Sequence, residues 1–274
     1  MKKVGITACS NAQNRTYSKI NNEVIFYLEQ LDKKVIESRC IYEKESGLSG
    51  TGEERANELM KMFINPEITD IYDVSGGDMA NEILDFLDYD KIRESNAVFW
   101  GYSDLTTVIN AIYTMTGKQS VLYQIKNIAD EKYGNIQRQR YKDQEKLFEP
   151  EFKMIQGESI KGIVVGGNIR CFLKLAGTKY FPDMADKVLL IESLGGRVPQ
   201  MITYLSQLRS MGVFNKINGI LMGTFSTMEE ENCSPDMITL VKKFAGKDMP
   251  VAKTDEIGHG HNSKAIWIGK EVCI

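Results

Sequence analysis

The sequence predicts an α/β fold in two domains, the first built around a parallel sheet. Three observations lead there. Short β-branched or aromatic runs alternate with amphipathic helical stretches through the first half, the pattern of βαβ units. The chain has 274 residues, 42% hydrophobic and 26% charged. That composition is ordinary for a globular protein, and the length exceeds the roughly 100 to 200 residues of one typical domain. A charged stretch from Asn127 to Glu151, poor in large aliphatic residues, reads as a connection between domains, the alternative being a solvated surface helix within one domain. The expected division is therefore a first domain over residues 1–126, a connection over 127–151 and a second domain over 152–274.

The elements follow in order. Val4 to Thr7 is an apolar run and reads as the first buried strand. The Met1-Lys2-Lys3 start imitates a signal peptide, but its apolar run ends within a few residues and polar Asn11 to Arg15 follow. Ser18 to Leu31 and Arg55 to Phe63 carry helical periodicity. Asp70 to Val74 is a strand running into Gly76-Gly77, and Asn81 to Leu87 a helix. Ala97 to Trp100 is a strand, and after the turn Gly101-Tyr102-Ser103-Asp104 comes a helix over Thr106 to Thr116. Beyond the connection, Gly162 to Val165, Val188 to Ile191, Ile217 to Met222 and Ala265 to Ile268 read as buried strands. Gln200 to Met211 and Met237 to Phe244 read as helices between them.

Charge and cysteine usage exclude several classes. The formal net charge is −3 with both signs interspersed, so there is no electrostatic footprint for nucleic acid or anionic lipid. A small or modest-sized molecule is the expected partner. The five cysteines (Cys9, Cys40, Cys171, Cys233 and Cys273) are odd in number and never paired as Cys-x-x-Cys, which argues against a disulfide framework or a structural zinc site. No run of about 20 apolar residues is available to span a membrane. A reducing, cytoplasmic location is expected.

In open α/β sheets reactive groups collect at the carboxyl ends of strands. Three such ends carry a polar residue directly after an apolar run: Ser103, Glu192 and the Gly166-Gly167-Asn168 turn. Ser103 sits at a strand, tight turn, helix junction like a nucleophile elbow, although Leu105 replaces the second glycine of Gly-x-Ser-x-Gly. On the pattern alone Ser103 or Asp104 could equally cap the helix. The only histidines, His259 and His261, lie in Glu256-Ile-Gly-His-Gly-His-Asn-Ser. They are either a catalytic base among glycines or two loop residues. Glu192 either ends a strand at solvent or orients a histidine ring. Together Ser103, His259 and Glu192 supply nucleophile, base and orienter, a set that unrelated folds assemble in different chain orders.

Two other classes compete. His259 and His261, with Asp255 and Glu256 just before them, offer imidazole and oxygen ligands for a divalent ion, though at no usual zinc spacing. The glycine turns at Gly76-Gly77 and Gly166-Gly167 could cradle an anion in a binder without catalysis. No Gly-x-Gly-x-x-Gly or Gly-x-x-x-x-Gly-Lys-Ser/Thr follows a strand, so nucleotide cofactors are not expected.

Five ordered motifs carry a more specific signal: Gly101-Tyr-Ser-Asp-Leu-Thr106, Gly166-Gly-Asn-Ile, Gly177-Thr-Lys-Tyr-Phe-Pro-Asp183, Val188-Leu-Leu-Ile-Glu192 and Ile257-Gly-His-Gly260. With Glu54-Arg-Ala-Asn-Glu-Leu59, Ser75-Gly-Gly77 and Leu87-Asp-Tyr-Asp90 upstream, the chain resembles the LD-carboxypeptidase family of serine peptidases, which includes the microcin C immunity peptidases. The resemblance implies a Rossmann-like parallel-sheet N-terminal domain holding the nucleophile and a smaller β-rich C-terminal domain holding the other two groups. By position Ser103 would be the nucleophile, His259 the base and Glu192 its orienter, with the backbone N–H groups of Gly77 and Asp104 as oxyanion hole. No cofactor or metal is implied, and a homodimer is expected. The expected substrate is a small peptide, first a murein tetrapeptide cut at its L,D bond and, as the alternative, a peptidyl-nucleotide antibiotic. Three departures stand out. Ser75-Gly76-Gly77-Asp78 replaces the Arg-Gly-Gly-Tyr frequent among the carboxypeptidases and is closer to the immunity branch. His261-Asn262 stands where a proline usually follows Gly-His. Arg170 stands where small or aliphatic residues are commoner.

Overall fold

The computed structural model describes residues 2–274. Its strands are β1 (Lys2–Thr7), β2 (Lys33–Glu37), β3 (Ile68–Asp73), β4 (Val98–Gly101), β5 (Ser120–Leu122), β6 (Lys153–Gln156), β7 (Lys161–Asn168), β8 (Lys187–Ser193), β9 (Gly219–Phe225), β10 (Val251–Lys253), β11 (Ile266–Ile268) and β12 (Glu271–Cys273). Its α-helices are α1 (Ser18–Gln30), α2 (Gly52–Ile64), α3 (Tyr89–Glu94), α4 (Thr106–Thr116), α5 (Gly134–Lys142), α6 (Gln144–Leu147), α7 (Ile169–Leu173), α8 (Val198–Ser210), α9 (Ser226–Glu230) and α10 (Met237–Ala245).

Two six-stranded sheets result, ordered β11-β5-β4-β3-β1-β2 and β12-β7-β8-β9-β10-β6. In the first, β1 to β5 are parallel and β11 adds an antiparallel edge. In the second, β7 to β10 are parallel, and β12 and β6 are antiparallel edges. Parallel strands covered on both faces read as continuous aliphatic runs, and β8 is one: Val188, Leu189, Leu190 and Ile191 are all fully buried. The chain reverses its direction of travel across the first sheet at β1, which has β3 on one side and β2 on the other. Such a switch point opens a crevice at the carboxyl ends of the strands, and the Ser75-Gly76-Gly77 loop after β3 lies there.

Local signals fix the helices. Thr51 and Glu54 form a reciprocal capping box at the start of α2. Helix α4 is buried all round, from Thr106 to Ile112 without a break, because it lies between the two sheets. Asn110 on α4 donates to the Gly166 carbonyl and accepts from the Gly166 N–H, both at 2.9 Å, and Thr106 Oγ1 accepts from the Asn168 N–H at 3.0 Å. Thus the helix that follows Ser103 is pinned to β7. One apolar cluster runs through both halves, taking Phe99 and Ile109 from one and Val164, Leu190 and Leu221 from the other.

The structure departs from the sequence expectations in places. Ala80–Phe86 is a 3₁₀ helix rather than an α-helix. Residues 127–151 are more than a connection and closer to the helical alternative: α5 and α6 sit here, though not as a fully solvated face, since Tyr141, Leu147 and the side chain of Gln137 are buried. Tyr123 donates to Gln137, whose amide in turn holds the carbonyls of His261 and Ser263. The strand read over Ala265 to Ile268 does form, but as β11 it pairs with β5 of the first sheet. Short edge strands such as β2, β6 and β12 have too few apolar residues to stand out in the sequence.

Candidate active site

Ser103 follows β4 with φ +54°, a left-handed conformation that an L-residue adopts only when its surroundings impose it. Here the next turn is tied down: the Leu105 N–H donates to the Tyr102 carbonyl at 2.9 Å, and Thr107 Oγ1 donates to the Asp104 carbonyl at 2.8 Å. Beside it, the loop after β3 is ordered by the fully buried Asp73. That carboxylate accepts from the N–H groups of Cys9 and Ser75, both at 2.7 Å, and from the Ser75 hydroxyl. Burial pushes the Asp73 pKa up in spite of these bonds. A methyl group placed on Gly76 would lie 3.9 Å from Ser103 Oγ, so the loop abuts the serine. Gly77 has φ +131°, and a Cβ there would fall 2.2 Å from Asn11 Cγ. No other residue fits without displacing Asn11, whose Oδ1 accepts the Asp78 N–H at 2.9 Å.

The other half supplies the remaining groups. Glu192 ends the aliphatic run of β8 and is fully buried, so it is not a solvent-facing strand end. His259 lies on the loop after β10, and its position depends on the neighbouring strand β9. There the Thr224 N–H donates to the Ile257 carbonyl at 2.8 Å. The backbones approach so closely that a Cβ on Gly223 would fall 2.3 Å from the Ile257 carbonyl oxygen and 3.1 Å from Glu192 Cβ. The result is a continuous chain: Ser103 Oγ lies 3.1 Å from His259 Nε2, and His259 Nδ1 lies 2.6 Å from Glu192 Oε2. Ser103 and His259 line a cleft of about 430 Å³ together with Gly77, Asn168 and Arg170, with Glu192 buried behind the histidine. That volume suits a small-molecule or peptide ligand.

His261 is elsewhere. Its ring is exposed and bonded to Asp130, while Asp255 pairs with Lys253. The two histidines therefore do not converge, and among the described residues no group of three His, Cys, Asp or Glu side chains gathers to hold a metal ion.

Models of the LD-carboxypeptidase N-terminal and C-terminal domains match residues 4–124 and 161–274. The chain belongs to the LD-carboxypeptidase family. Among its relatives, the microcin C7 self-immunity protein MccF of Escherichia coli is 24% identical over 307 residues, covering 97% of this chain and 87% of that protein. The probable murein peptide carboxypeptidase of Bacillus subtilis is 25% identical over 264 residues, covering 91% and 82%. A solved structure of MccF in complex with glutamyl sulfamoyl guanosine superposes with a TM-score of 0.87 at 21% identity, covering all of this chain and 92% of that one. The LD-carboxypeptidase family is one of serine peptidases and contains both kinds of relative, so the fold is that of the family while neither activity is singled out.

Within that family fold this chain has site contacts that the sequence reading did not reach. The Tyr102 ring lies 4.4 Å from the His259 ring, and its hydroxyl is buried without a partner. Burial, with the Glu192 charge nearby, holds that phenol well above its ordinary pKa, so it keeps its proton. Asp104, expected as a backbone donor or a helix cap, has a fully buried carboxylate. It accepts from Ser10 Oγ at 2.6 Å, from the Ala80 N–H at 2.8 Å and from Lys174, locking the serine turn to the loop after β3. Arg170 and Asp78 pair across the cleft mouth. Tyr102 adjoins Ser103 in sequence and could have been found there. The Asp104 and Arg170 partners come from distant segments and left no sequence signal.

Proposed function

We propose that the protein is a serine peptidase that hydrolyses an amide bond in a small peptide through acylation and deacylation of Ser103. The hydrogen-bonded order Ser103, His259, Glu192 at the cleft carries this reading. His259 Nε2 takes the Ser103 proton as Oγ attacks the scissile carbonyl, then delivers it to the leaving amine. Glu192 accepts a hydrogen bond from the Nδ1–H, fixes the tautomer and stabilises the imidazolium. Its remaining oxygen, Oε1, is buried without a partner, so the carboxylate is committed to the ring. The N–H groups of Gly77 and Asp104 receive the oxyanion. Losing one such donor typically costs roughly 3 to 4 kcal/mol in the barrier. A water then attacks the acyl-enzyme with His259 again as base.

The first substrate choice is the L,D bond of a murein tetrapeptide, in keeping with the murein peptide relative and the family's carboxypeptidase description. A second reading, cleavage of a peptidyl-nucleotide conjugate, is favoured by Gly77-Asp78 in this loop and by the similarity to MccF over 97% of the chain. A homodimer in a reducing cytoplasm completes the reading, with all five cysteines as free thiols. Incubating the purified protein in parallel with a wall tetrapeptide and a peptidyl-adenylate conjugate, with products read by mass spectrometry, decides between the substrates. If neither substrate is consumed, the peptidase reading is rejected.

A further inference from the structure

Among the side chains lining the cleft, Arg170 is the one permanent cation. It stands on α7, directly after the Gly166-Gly167-Asn168 turn, and its side chain is 43% exposed. Two contacts hold it: one guanidinium nitrogen donates to the Asp78 carboxylate and the other to the Gly77 carbonyl at 2.9 Å. Those contacts occupy two of the five N–H donors of an arginine and fix its rotamer, so the remaining donors are presented without further ordering cost. The site also places the cation near the nucleophile: Gly77, whose carbonyl holds the guanidinium, follows the glycine that abuts Ser103 Oγ, and Arg170 lines the same cleft as Ser103.

We propose that Arg170 is the anion receptor of this cleft, binding an oxyanion carried on the leaving-group side of the substrate, whether the carboxylate of a terminal amino acid or the phosphate of a nucleotide. Both present a pair of acceptor oxygens that a guanidinium fork engages through paired charge-assisted hydrogen bonds. Asp78 orients the fork, and the pair is exposed enough for a ligand to reach the N–H donors that Asp78 and Gly77 leave free. The direction of the substrate in the cleft rests on the reading of Ser103 as nucleophile; the existence of the receptor does not.

Binding to full-length Ser103→Ala protein, measured by calorimetry, tests the receptor without turnover. Three probes are compared: a murein tetrapeptide with a free terminal carboxylate, the same peptide as its terminal amide, and adenosine monophosphate. The expected result is tighter binding of the acid than of the amide by about tenfold or more, lost when Arg170→Gln is added and partly kept with Arg170→Lys. If instead adenosine monophosphate alone loses affinity on Arg170→Gln, the receptor stands and phosphate is its ligand. Equal weakening of acid and amide would mean that Arg170 only props up the Gly77 loop and would overturn the proposal. So would binding of all probes unchanged by Arg170→Gln, or no binding of any probe. Wild-type protein that turns over neither substrate while Arg170-dependent binding persists would reject the peptidase reading and leave the receptor in place.

Discussion

A serine held at φ +54° stores roughly 1 to 2 kcal/mol of backbone strain, and the fold retains it at the one position where a hydroxyl meets His259. Ser103→Ala removes the hydroxyl and keeps the strain, so turnover should fall by several orders of magnitude with the thermal transition nearly unchanged. Ser103→Gly should be equally inactive but more stable than Ser103→Ala, by about 1 kcal/mol, since glycine adopts that conformation freely. A Ser103→Ala protein keeping a tenth of the native rate would remove Ser103 from its role. Glu192→Gln keeps the shape and loses the charge; the matching change in a Ser-His-Asp enzyme costs roughly 10⁴ in kcat. The same order of loss is expected here, with KM changing far less, and steady-state kinetics on the variant measures both. A near-normal kcat would refute the assignment of Glu192 even with Ser103 and His259 essential.

Two strands, β8 and β9, position the Glu192 and His259 pair, and their closeness depends on the missing side chain of Gly223. Gly223→Ala should drive the Ile257 carbonyl outward, carrying His259 away from both Glu192 and Ser103. The expected outcome is a loss of at least 10²-fold in kcat/KM with cooperative unfolding preserved, because a displacement of about 1 Å suffices for such a loss. A crystal structure of the variant with the His259 to Ser103 distance unchanged would contradict it. Much of this element-level arrangement was legible beforehand. Ser103, Glu192 and the Asn168 turn each follow an apolar run, so the alternation of strand and polar end pointed to them, and His259 was one of only two histidines. What stayed hidden depends on approach between segments remote in sequence: the Gly223 contact with Ile257, the anchoring of α4 to β7 by Asn110, and the lock of Asp104 onto Lys174. A periodicity reports which face of an element is buried, not which backbone it is buried against. For the same reason β11 could be read as a strand from its apolar run while its sheet could not.

For the molecule as a whole, carboxylates set the acid limit of stability. Hydrogen bonding to the Arg170 guanidinium holds Asp78 below the usual range, and the Thr239 cap contacts do the same for Asp236 at the start of α10. A depressed folded-state pKa contributes stability that is complete above the unfolded value, about 3.9 for aspartate, and is lost as pH falls through the folded value. Asp73 acts oppositely: its pKa is raised by burial, so its ionisation subtracts stability as pH climbs through that raised value. Urea midpoints should therefore fall below about pH 4, with a shallower acid limb in the double variant Asp78→Asn, Asp236→Asn. An acid limb of undiminished slope in that variant would show that other groups govern it. The return of the chain to the first sheet as β11 has a mechanical meaning as well. The two halves are joined like a door hung on several hinges rather than one, since the polypeptide passes from the first sheet to the second, back again at Ile266, and out once more to β12. Free swinging about a single linker is thereby forbidden, and a protease cut near Glu149 to Glu151 should leave both fragments associated on a sizing column, still able to bring Ser103 and His259 together.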